Sequence, residues 1–276
     1  IDNDIDLAAG SIKALHEIQA ASTGKKARVH LELDTGMTRG GFLGEWSALS
    51  GDDVAGLEIV GVFSHFARAD EPNEQQNLDQ LNKFNEMVAT LNSFGFTNVL
   101  RHLSNSAATL TNPAAAFEMV RTGIAMYGLT PDVSMGSSKD FGIRPAMQLR
   151  AALYLVKDVP AGTPVGYGAS ESTTRDTKLG VVTMGYADGI PRSASNSAGV
   201  FIDGKRAPLL GRVSMDQFVV DLGKDSKAKT GDEVVIFGDG SAGEYTVDEW
   251  ASAAGTINYE IVTRIGPRVP RIYPRG

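Results

Sequence analysis

The first half of the chain alternates between two kinds of hydrophobic pattern. Apolar residues recur at helical spacing over residues 6–21 and again over about 73–94, which predicts two helices. Residues 104–106 open a further helix, and short apolar runs predict strands over 29–33, 57–63, 98–102 and 117–121. Repeated strand–helix units of this kind predict a parallel sheet covered by helices, so the expected class is α/β.

The second half of the chain has a different pattern. Residues 131–144 are rich in Pro, Gly, Ser and Asp, which is typical of a linker. Beyond it, β-branched runs separated by Gly, Asp and Pro predict strands over 149–156, 179–184, 200–202, 217–222 and 233–237. One helix is expected near 246–254. The sequence therefore predicts an α/β part over 1–130, a linker over 131–144 and a mainly β C-terminal domain over 145–276.

The predicted strands of the first half are too few to close a (β/α)8 barrel, which needs eight strands, and alone they leave open sheet edges. We interpret residues 1–130 as the C-terminal strands of a partial (β/α)8 barrel, and we expect roughly a hundred further residues before Ile1. In such barrels, polar residues at the carboxyl ends of strands tend to carry the chemistry. Those positions here are Asp34, Arg39, His65, Ser104 to Ser106, and Arg121.

Composition narrows the possible partners. The 276 residues are 42% hydrophobic and 21% charged, as in ordinary globular proteins, and the formal net charge is −7. This acidic balance argues against nucleic acid and against an anionic membrane as partners. There is no cysteine, which excludes disulfides and thiolate metal sites and fits a cytoplasmic protein. No apolar run approaches the about 20 residues of a membrane span.

Four segments carry a family resemblance. They are Leu-Asp-Thr-Gly-Met-Thr-Arg at 33–39, Met-Val-Arg-Thr-Gly-Ile-Ala-Met-Tyr-Gly-Leu at 119–129, Pro-Val-Gly-Tyr-Gly-Ala-Ser at 164–170 and Met-Gly-Tyr-Ala-Asp-Gly-Ile-Pro-Arg at 184–192. Together they resemble the alanine racemase family. The resemblance implies an enzyme that uses pyridoxal 5'-phosphate (PLP) to interconvert L- and D-alanine for peptidoglycan synthesis. It also implies a cytoplasmic homodimer in which the two chains share each active site.

The resemblance assigns roles to individual residues. Tyr167 would be a catalytic base that enters the partner's site, and because a free tyrosine titrates near ~10, the site must lower its pKa or couple its proton to a neighbour. Arg121 would face the pyridine nitrogen of PLP, and His65 would lie against the cofactor ring. Arg39 would donate to the phenolic oxygen of PLP and border the substrate.

The same resemblance implies sites for the phosphate and the substrate. Backbone N–H groups and hydroxyls bind phosphate, and those expected here belong to Asn105, Ser106, Gly123, Ile124 and Tyr259. Met215 and Asp216 would close the partner's substrate pocket, with the Met215 N–H meeting the alanine carboxylate. No residue is assigned to a metal, because His65 and Asp70 alone are weak evidence for one.

Each of these residues also has a purely structural interpretation. Tyr167 fits a packed loop tyrosine, Arg121 a strand-end salt bridge, and His65 a histidine that is merely hydrogen-bonded. Residues 104–106 fit an ordinary helix N-cap, and residues 215–216 fit a hairpin strand. The family resemblance favours the functional interpretation in each case.

The family's other base is a lysine that binds PLP, and no lysine of this chain fits that role. All eleven lie on predicted helices, in loops or in the β half, and none ends a predicted strand of the barrel. We therefore expect that lysine in a preceding segment, and we expect these residues alone to be inactive. Glu32 stands where many family members have a lysine that becomes carbamylated. We hypothesise that Glu32 supplies this negative charge directly and pairs with Arg39.

Three alternatives remain open. The first is a racemase of another amino acid such as serine, because pocket shape decides the substrate. The second shares the architecture but decarboxylates basic amino acids, and the segments around Tyr167 and Arg121 argue against it. The third is a non-catalytic binding fragment, which the lack of a suitable lysine favours.

Overall fold

The computed structural model describes residues 3–273 and divides the chain into two compact units, Ile1–Met126 and Tyr127–Gly276. The first unit mixes strands and helices, whereas the second is mainly β. The predicted order of an α/β part followed by a mainly β part is therefore confirmed. No helix in the described range is long and apolar enough to span a membrane.

The first unit is built on a parallel sheet. Its four strands are β1 (Leu7–Ala9), β2 (Arg28–Glu32), β3 (Glu58–Phe63) and β4 (Leu100–His102), which lie side by side in chain order. The helices are α1 (Ile12–Ala21), α2 (Gly51–Val54), α3 (Gln75–Ser93) and α4 (Ser106–Thr111). All three strand pairs are parallel, so every carboxyl end lies at the same edge of the sheet.

Apolar side chains from the strands and from α3 form the core of this unit. Val29 and Leu31 on β2 and Val62 on β3 are fully buried. Phe84 and Leu91 lie seven residues apart on the same face of α3 and are also fully buried. Burying each such side chain stabilises the fold by roughly 1.5–3 kcal/mol.

The predicted helix over residues 6–21 begins later than expected. Residues Leu7–Ala9 form β1 instead, because they pair in parallel with Val29–Leu31 of β2. The helix starts at Ile12, where the Ser11 hydroxyl caps the first turn. A strand of three residues is too short to show an alternating hydrophobic pattern. Its residues were therefore included in the predicted helix.

The strand predicted over residues 117–121 is not formed. Phe117 has a left-handed backbone, with a φ of 47°, which interrupts an extended run. The Arg121 N–H donates to the loop after β4 at 3.0 Å, but no ladder follows from this contact within the described residues. The Arg101 N–H, which a ladder would use, donates instead to the Glu118 carboxylate at 2.9 Å.

Within the described residues, the second unit has eight strands and two α-helices. The strands are β5 (Leu149–Val159), β6 (Pro164–Val165), β7 (Glu171–Ser172), β8 (Thr177–Val182), β9 (Gly199–Ile202), β10 (Lys205–Pro208), β11 (Phe218–Asp221) and β12 (Glu233–Phe237). The helices are α5 (Val247–Ala254) and α6 (Asn258–Thr263). Six strands form an antiparallel sheet in the order β10-β9-β12-β5-β8-β11, and β6 pairs with β7 in a separate ribbon.

All five strands predicted in this half are present, β12 with the predicted bounds and the other four with shifted ends, and the predicted helix is α5. The strands β6, β7 and β10 and the helix α6 were not predicted, because each is too short to show a clear period. Residues 131–144 are mostly irregular, with a 3₁₀ turn at Val133–Met135. The predicted bounds of the domains and of the linker stay predictions.

Two segments of the second unit approach each other closely at Gly128. Its φ is 73°, and a Cβ on it would lie 1.7 Å from the Arg144 carbonyl oxygen. The Ala146 N–H donates to the Tyr127 carbonyl at 3.0 Å, which holds the same two segments together. A side chain at Gly128 would therefore force the segments apart.

We expect Gly128→Ala to lower the free energy of unfolding by about 3 kcal/mol or more, because the methyl group collides with backbone. The matched control is Gly142→Ala, since Gly142 has a similar φ of 66° but nothing within 4 Å of a Cβ. The control should lose only about 1 kcal/mol, from backbone strain. Urea unfolding followed by circular dichroism measures both values, and equal losses would contradict the close approach.

Candidate active site

Side chains from the carboxyl ends of three neighbouring strands gather around Arg121. His65 follows β3, and its ring Nδ1 lies 3.2 Å from Arg121 Nη2. Arg39 lies in the loop after β2, near enough for its charge to act on the other two. The structure therefore brings three of the predicted site residues together, at the edge where parallel strands place functional groups.

Arg121 is held by neutral groups. Its Nη1 donates to His102 Nδ1 at 2.8 Å and to the His102 carbonyl at 2.9 Å, and its Nη2 donates to the Ser64 carbonyl at 2.7 Å. No carboxylate of residues 3–273 lies within 4.0 Å of its guanidinium, so a salt bridge does not explain its position. Its Nε–H makes no hydrogen bond with these residues, which leaves one donor for a ligand.

The contact with Arg121 fixes the protonation of two histidines. Arginine has no acceptor, so His102 Nδ1 must be the unprotonated nitrogen that accepts the hydrogen bond. His102 Nε2 then carries the proton and donates to His30 Nδ1, 2.8 Å away. The proton of His30 lies on Nε2, which faces Asp6 Oδ2 at 3.5 Å. A chain of hydrogen-bond donors therefore leads from Arg121 through the neutral rings of His102 and His30 toward the carboxylate of Asp6.

His30 and His102 are site residues that the sequence analysis missed. His102 ends β4, so the strand-end rule that selected His65 applies to it equally. His30 lies inside β2 and gives no such signal. Burial, followed by the charge of Arg121, lowers the pKa of His102 to about 3. A neutral His102 is what its contact with Arg121 requires.

His65 is also neutral at physiological pH. Burial, followed by the positive charges of Arg121 and Arg39, lowers the pKa of His65 to about 4. The same two positive charges oppose the binding of a metal ion at His65. Within the described residues, no group of three metal-binding side chains is present.

A buried glutamine of α3, Gln80, joins the loops after β2 and β3. Its Nε2 donates to the His65 carbonyl at 2.9 Å and to Thr35 Oγ1 at 3.1 Å, and its Oε1 accepts from the Ala67 N–H at 2.9 Å. The side chain is thereby satisfied although Gln80 is only 1% exposed. The sequence analysis missed it, although a glutamine on the apolar face of a helix is a visible signal.

Arg39 is exposed and makes no hydrogen bond with the rest of the described chain. Its loop is shaped by the buried Asp34, whose Oδ1 accepts from the Gly36 N–H at 2.9 Å and from the Thr38 N–H at 3.1 Å. These two contacts form a tight turn that presents Arg39 beyond the end of β2. Its guanidinium is therefore free to meet an acceptor.

The pairing of Glu32 with Arg39 is not formed. No ion pair within 4.0 Å joins the two side chains, because the Glu32 carboxylate lies over the backbone of Gly40 and Gly10. Glu32 acts instead on Arg121, where its negative charge opposes the lowering of the Arg121 pKa by burial.

The predicted phosphate-binding groups divide into free and engaged donors. The Asn105 side chain caps α4 by accepting a backbone N–H at 3.0 Å. Ser106 Oγ accepts a backbone N–H at 3.2 Å, so its own O–H remains able to donate. The Gly123 N–H is engaged by the Arg121 carbonyl at 3.1 Å. The Ile124 N–H has no partner in the described range, so Ser106 and Ile124 are the available donors.

In the second unit, Tyr167 projects from a tight turn between β6 and β7. Gly166 and Gly168 have φ values of 69° and 75°, and Ala169 has a φ of 43°. These left-handed residues bend the chain sharply and leave Tyr167 69% exposed. A packed loop tyrosine would be buried, so the structural interpretation of Tyr167 does not hold for this chain.

Met215 and Asp216 lie in the turn before β11. The Ser214 N–H donates to the Gln217 carbonyl at 2.9 Å and closes that turn. The Met215 N–H makes no hydrogen bond with the described residues, and the Met215 residue is 55% exposed. This amide is therefore available to an anion. Asp216 Oδ1 accepts from Arg268 at 2.8 Å.

Tyr259 lies in the first turn of α6 and is 40% exposed. Its neighbour Asn258 is buried and anchors the helix. The Asn258 Nδ2 donates to the Thr130 carbonyl and to Asp248 Oδ1, both at 2.7 Å. The start of α6 is thus fixed, and Tyr259 is left with its phenol accessible.

The chain matches two family models, that of the alanine racemase N-terminal domain over residues 1–131 and that of the C-terminal domain over residues 146–273. It is 48% identical over 282 residues to the alanine racemase of Streptomyces coelicolor, a match that covers 99% of this chain and 72% of that protein. Because the N-terminal model matches from residue 1, the expected lack of an N-terminal segment is not confirmed.

Solved structures give the same result. The alanine racemase of Streptomyces lavendulae is 48% identical, with a TM-score of 0.96 over 100% of this chain and 74% of that chain. The alanine racemase of Bartonella henselae, solved with covalently bound pyridoxal phosphate, is 28% identical, with a TM-score of 0.86 over 99% of this chain and 74% of that chain.

The two neutral histidines predict how stability depends on pH. Unfolded, His65 and His102 titrate near the ordinary value of 6.5, whereas folded their pKa values are about 4 and about 3. Between the folded and unfolded pKa values, the unfolded state binds more protons than the folded state. The contribution of the two neutral histidines to the free energy of unfolding is therefore full above about pH 6.5 and is lost as the pH falls. Between pH 6.5 and 5, we expect the free energy of unfolding to fall by about 1.5 kcal/mol less in His102→Asn than in the wild type.

Urea unfolding of both proteins at pH 8, 6.5 and 5 measures this difference. The comparison uses the change with pH within each protein, so a general destabilisation by the substitution cancels. The hydrogen bond from Arg101 lowers the pKa of Glu118 to about 2. The contribution of Glu118 to the free energy of unfolding is therefore lost only at more acidic pH than that of the histidines. An equal loss in the variant and the wild type would mean that His102 is protonated in the folded chain.

Proposed function

We propose that this chain, which belongs to the alanine racemase family, forms most of a PLP-dependent active site that interconverts L- and D-alanine. The family and its dependence on PLP are established by the domain matches and by the relatives. The observation that carries the proposal for this chain is the arrangement of Arg121. Among the described residues, this half-buried arginine has no carboxylate within 4.0 Å of its guanidinium and one N–H group without a partner.

The residues present fit PLP. The cofactor has an acceptor at its ring nitrogen and a phosphate, and the first unit offers donors for both: the Arg121 Nε–H, the Ser106 hydroxyl and the Ile124 N–H. Asn105 and Gly123 stay in the proposed site as groups that shape it rather than as free donors. When bound, PLP withdraws electrons from the substrate's α-carbon and makes its proton acidic.

Arg121 limits how strongly that proton is acidified. Arginine stays charged and can only donate, so it leaves the ring nitrogen unprotonated. A racemase must return a proton to the same carbon, and a moderate electron sink suits that task. His65, neutral and fixed by Gln80, borders the same space, and Arg39 offers a free guanidinium to the phenolic oxygen.

Tyr167 holds or releases the proton on one face of the α-carbon, at its phenolic oxygen. Its turn leaves it exposed on the second unit, as a group that enters a partner's site should be. We therefore propose a homodimer in which Tyr167, Met215 and Asp216 of one chain complete the first unit of the other. The Met215 N–H binds the alanine carboxylate, and the Tyr259 phenol donates to the phosphate.

The base on the opposite face is the family's PLP lysine, which we place outside these residues. No lysine occurs at the carboxyl ends of β1 to β4 or in residues 33–43, 64–74 and 103–105 that follow them. The four parallel strands are, in this proposal, part of a (β/α)8 barrel. The enzyme would act in the cytoplasm and supply D-alanine for peptidoglycan.

We expect Tyr167→Phe, in the active enzyme that contains this chain, to slow racemisation by about 10²–10⁴-fold, as loss of a general acid–base group does. Proton exchange should be lost from one enantiomer far more than from the other. Deuterium incorporation from solvent, measured separately from L- and D-alanine, tests this. Tyr154→Phe is the matched control, because Tyr154 is similarly exposed, at 65%, and lies on β5.

The role of Tyr167 would be refuted by near-normal exchange from both enantiomers in Tyr167→Phe. A Tyr154→Phe enzyme that lost as much activity would instead show that the β domain tolerates no change of this kind. The expected result is wild-type exchange in the control and a one-sided defect in Tyr167→Phe.

We further expect the 276 residues by themselves to show neither racemisation nor the visible absorbance of lysine-bound PLP. The reason is that a base on each face of the α-carbon is needed, and this chain offers only Tyr167. The assay uses the purified chain, free of host racemase, with L-alanine and added PLP. Racemisation above the background of a Tyr167→Phe chain would overturn the placement of the lysine.

A further inference from the structure

Arg268 forms the centre of a charged cluster beside the turn that holds Met215. Its Nε and Nη2 both approach Asp188 Oδ1, at 3.0 and 2.9 Å, and its Nη2 also donates to Asp216 Oδ1 at 2.8 Å. Asp188 is only 9% exposed, whereas the Asp216 side chain is 59% exposed. One guanidinium thus bridges a buried carboxylate and an accessible one.

Asp188 connects this cluster to the loop 185–190. Its Oδ2 accepts from the Gly185 N–H at 3.0 Å, and its carbonyl accepts from the Gly266 N–H at 2.8 Å. The side chain and backbone of Asp188 therefore join the loop to the segment that carries Arg268. A change at Arg268 acts on the loop through this buried carboxylate.

The same loop holds the turn before β11. The Tyr186 N–H donates to the Ser214 carbonyl at 3.1 Å, and the Ala187 N–H donates to the Met215 carbonyl at 2.9 Å. The Met215 carbonyl is thus engaged, while the Met215 N–H is left without a partner in the described part of the chain. The loop, the turn and Arg268 form one connected structure around the Met215 amide.

The charges of the cluster bear directly on that amide. Asp216 is the next residue to Met215, so a carboxylate stands beside a donor that must attract a carboxylate. With Arg268 present, two negative charges and one positive charge leave the cluster at −1. Without Arg268 the cluster would be −2, and an anion approaching the Met215 N–H would meet stronger repulsion.

We propose that Arg268 is a positioning and specificity-determining residue, which holds and neutralises the Asp188–Asp216 pair so that the Met215 N–H can bind the carboxylate of an amino acid. This inference rests on the proposed function, because it takes the Met215 amide as the group that meets the substrate. Arg268 itself does not touch the reacting atoms. It acts through Asp216 and through the loop that Asp188 anchors.

In the active enzyme that contains this chain, Arg268→Gln should raise KM for alanine by about fivefold. The reason is that loss of the guanidinium makes the partly solvated cluster more negative by one unit. The value of kcat should stay within about twofold, because the proton-transfer groups are unchanged. Arg268→Lys keeps the charge and should keep most of the affinity. The double variant Arg268→Gln with Asp216→Asn restores the charge of −1 and should return KM toward the wild type.

The matched control is Arg271→Gln. Arg271 lies in the same segment, and within the described residues it is bound only to the carbonyls of Ile265, Gly266 and Val269. Its loss therefore removes an equal charge without freeing one of their carboxylates. A KM increase in the control equal to that in Arg268→Gln would overturn the inference. So would a double variant that is worse than Arg268→Gln, since that result means a purely structural role.

A second readout does not depend on racemase activity. Titration of the ¹⁵N-labelled chain with propionate should shift the Met215 amide resonance, with weaker binding in Arg268→Gln than in Arg271→Gln. A Met215 amide that does not respond to propionate in the wild type overturns the inference. A normal response of the chain, together with no racemase activity in the enzyme that contains it, overturns the proposed function alone.

Discussion

The first unit depends on the half-buried guanidinium of Arg121, whose hydrogen bonds within the described residues all go to neutral groups. Moving a guanidinium out of water is unfavourable, and proteins usually offset this with a carboxylate. Here the acceptors are the carbonyls of Ser64 and His102 and the ring nitrogens of His65 and His102. All of these come from the ends of β3 and β4, so Arg121 also fixes the spacing of those two strands.

The position of Arg121 also determines the protonation of the histidines around it. Because Arg121 can only donate, both histidines beside it must be neutral, and His102 must pass its proton toward His30 and Asp6. Burial and the charge of Arg121 lower the pKa of His65 to about 4 and that of His102 to about 3, which agrees with the geometry. An added carboxylate would undo this arrangement, since its negative charge would favour protonation of the rings and it would occupy the donor proposed for the cofactor.

The sequence predicted the elements that have a periodic hydrophobic pattern. It missed short elements and contacts between residues that are far apart in the chain. The long helix α3 and the strand β12 show clear periods, whereas β1 is hidden beside a helix and residues 117–121 resemble a strand without having a neighbour to pair with. Motif residues such as Arg121 and Tyr167 were recognised by resemblance, and their roles remain proposals. Gln80 and His30 reach the site across long chain separations. The place of Gln80 on the apolar face of α3 was a visible signal, but no local pattern reveals which groups either side chain contacts.

The most direct test of this account is the ¹⁵N chemical shift of the PLP ring nitrogen in the active enzyme that contains this chain. An Arg121 that is held only by neutral groups predicts an unprotonated nitrogen that accepts a hydrogen bond. Arg121→Glu should convert it to the protonated form, because a carboxylate then faces it. A protonated ring nitrogen in the wild-type enzyme would contradict the central claim.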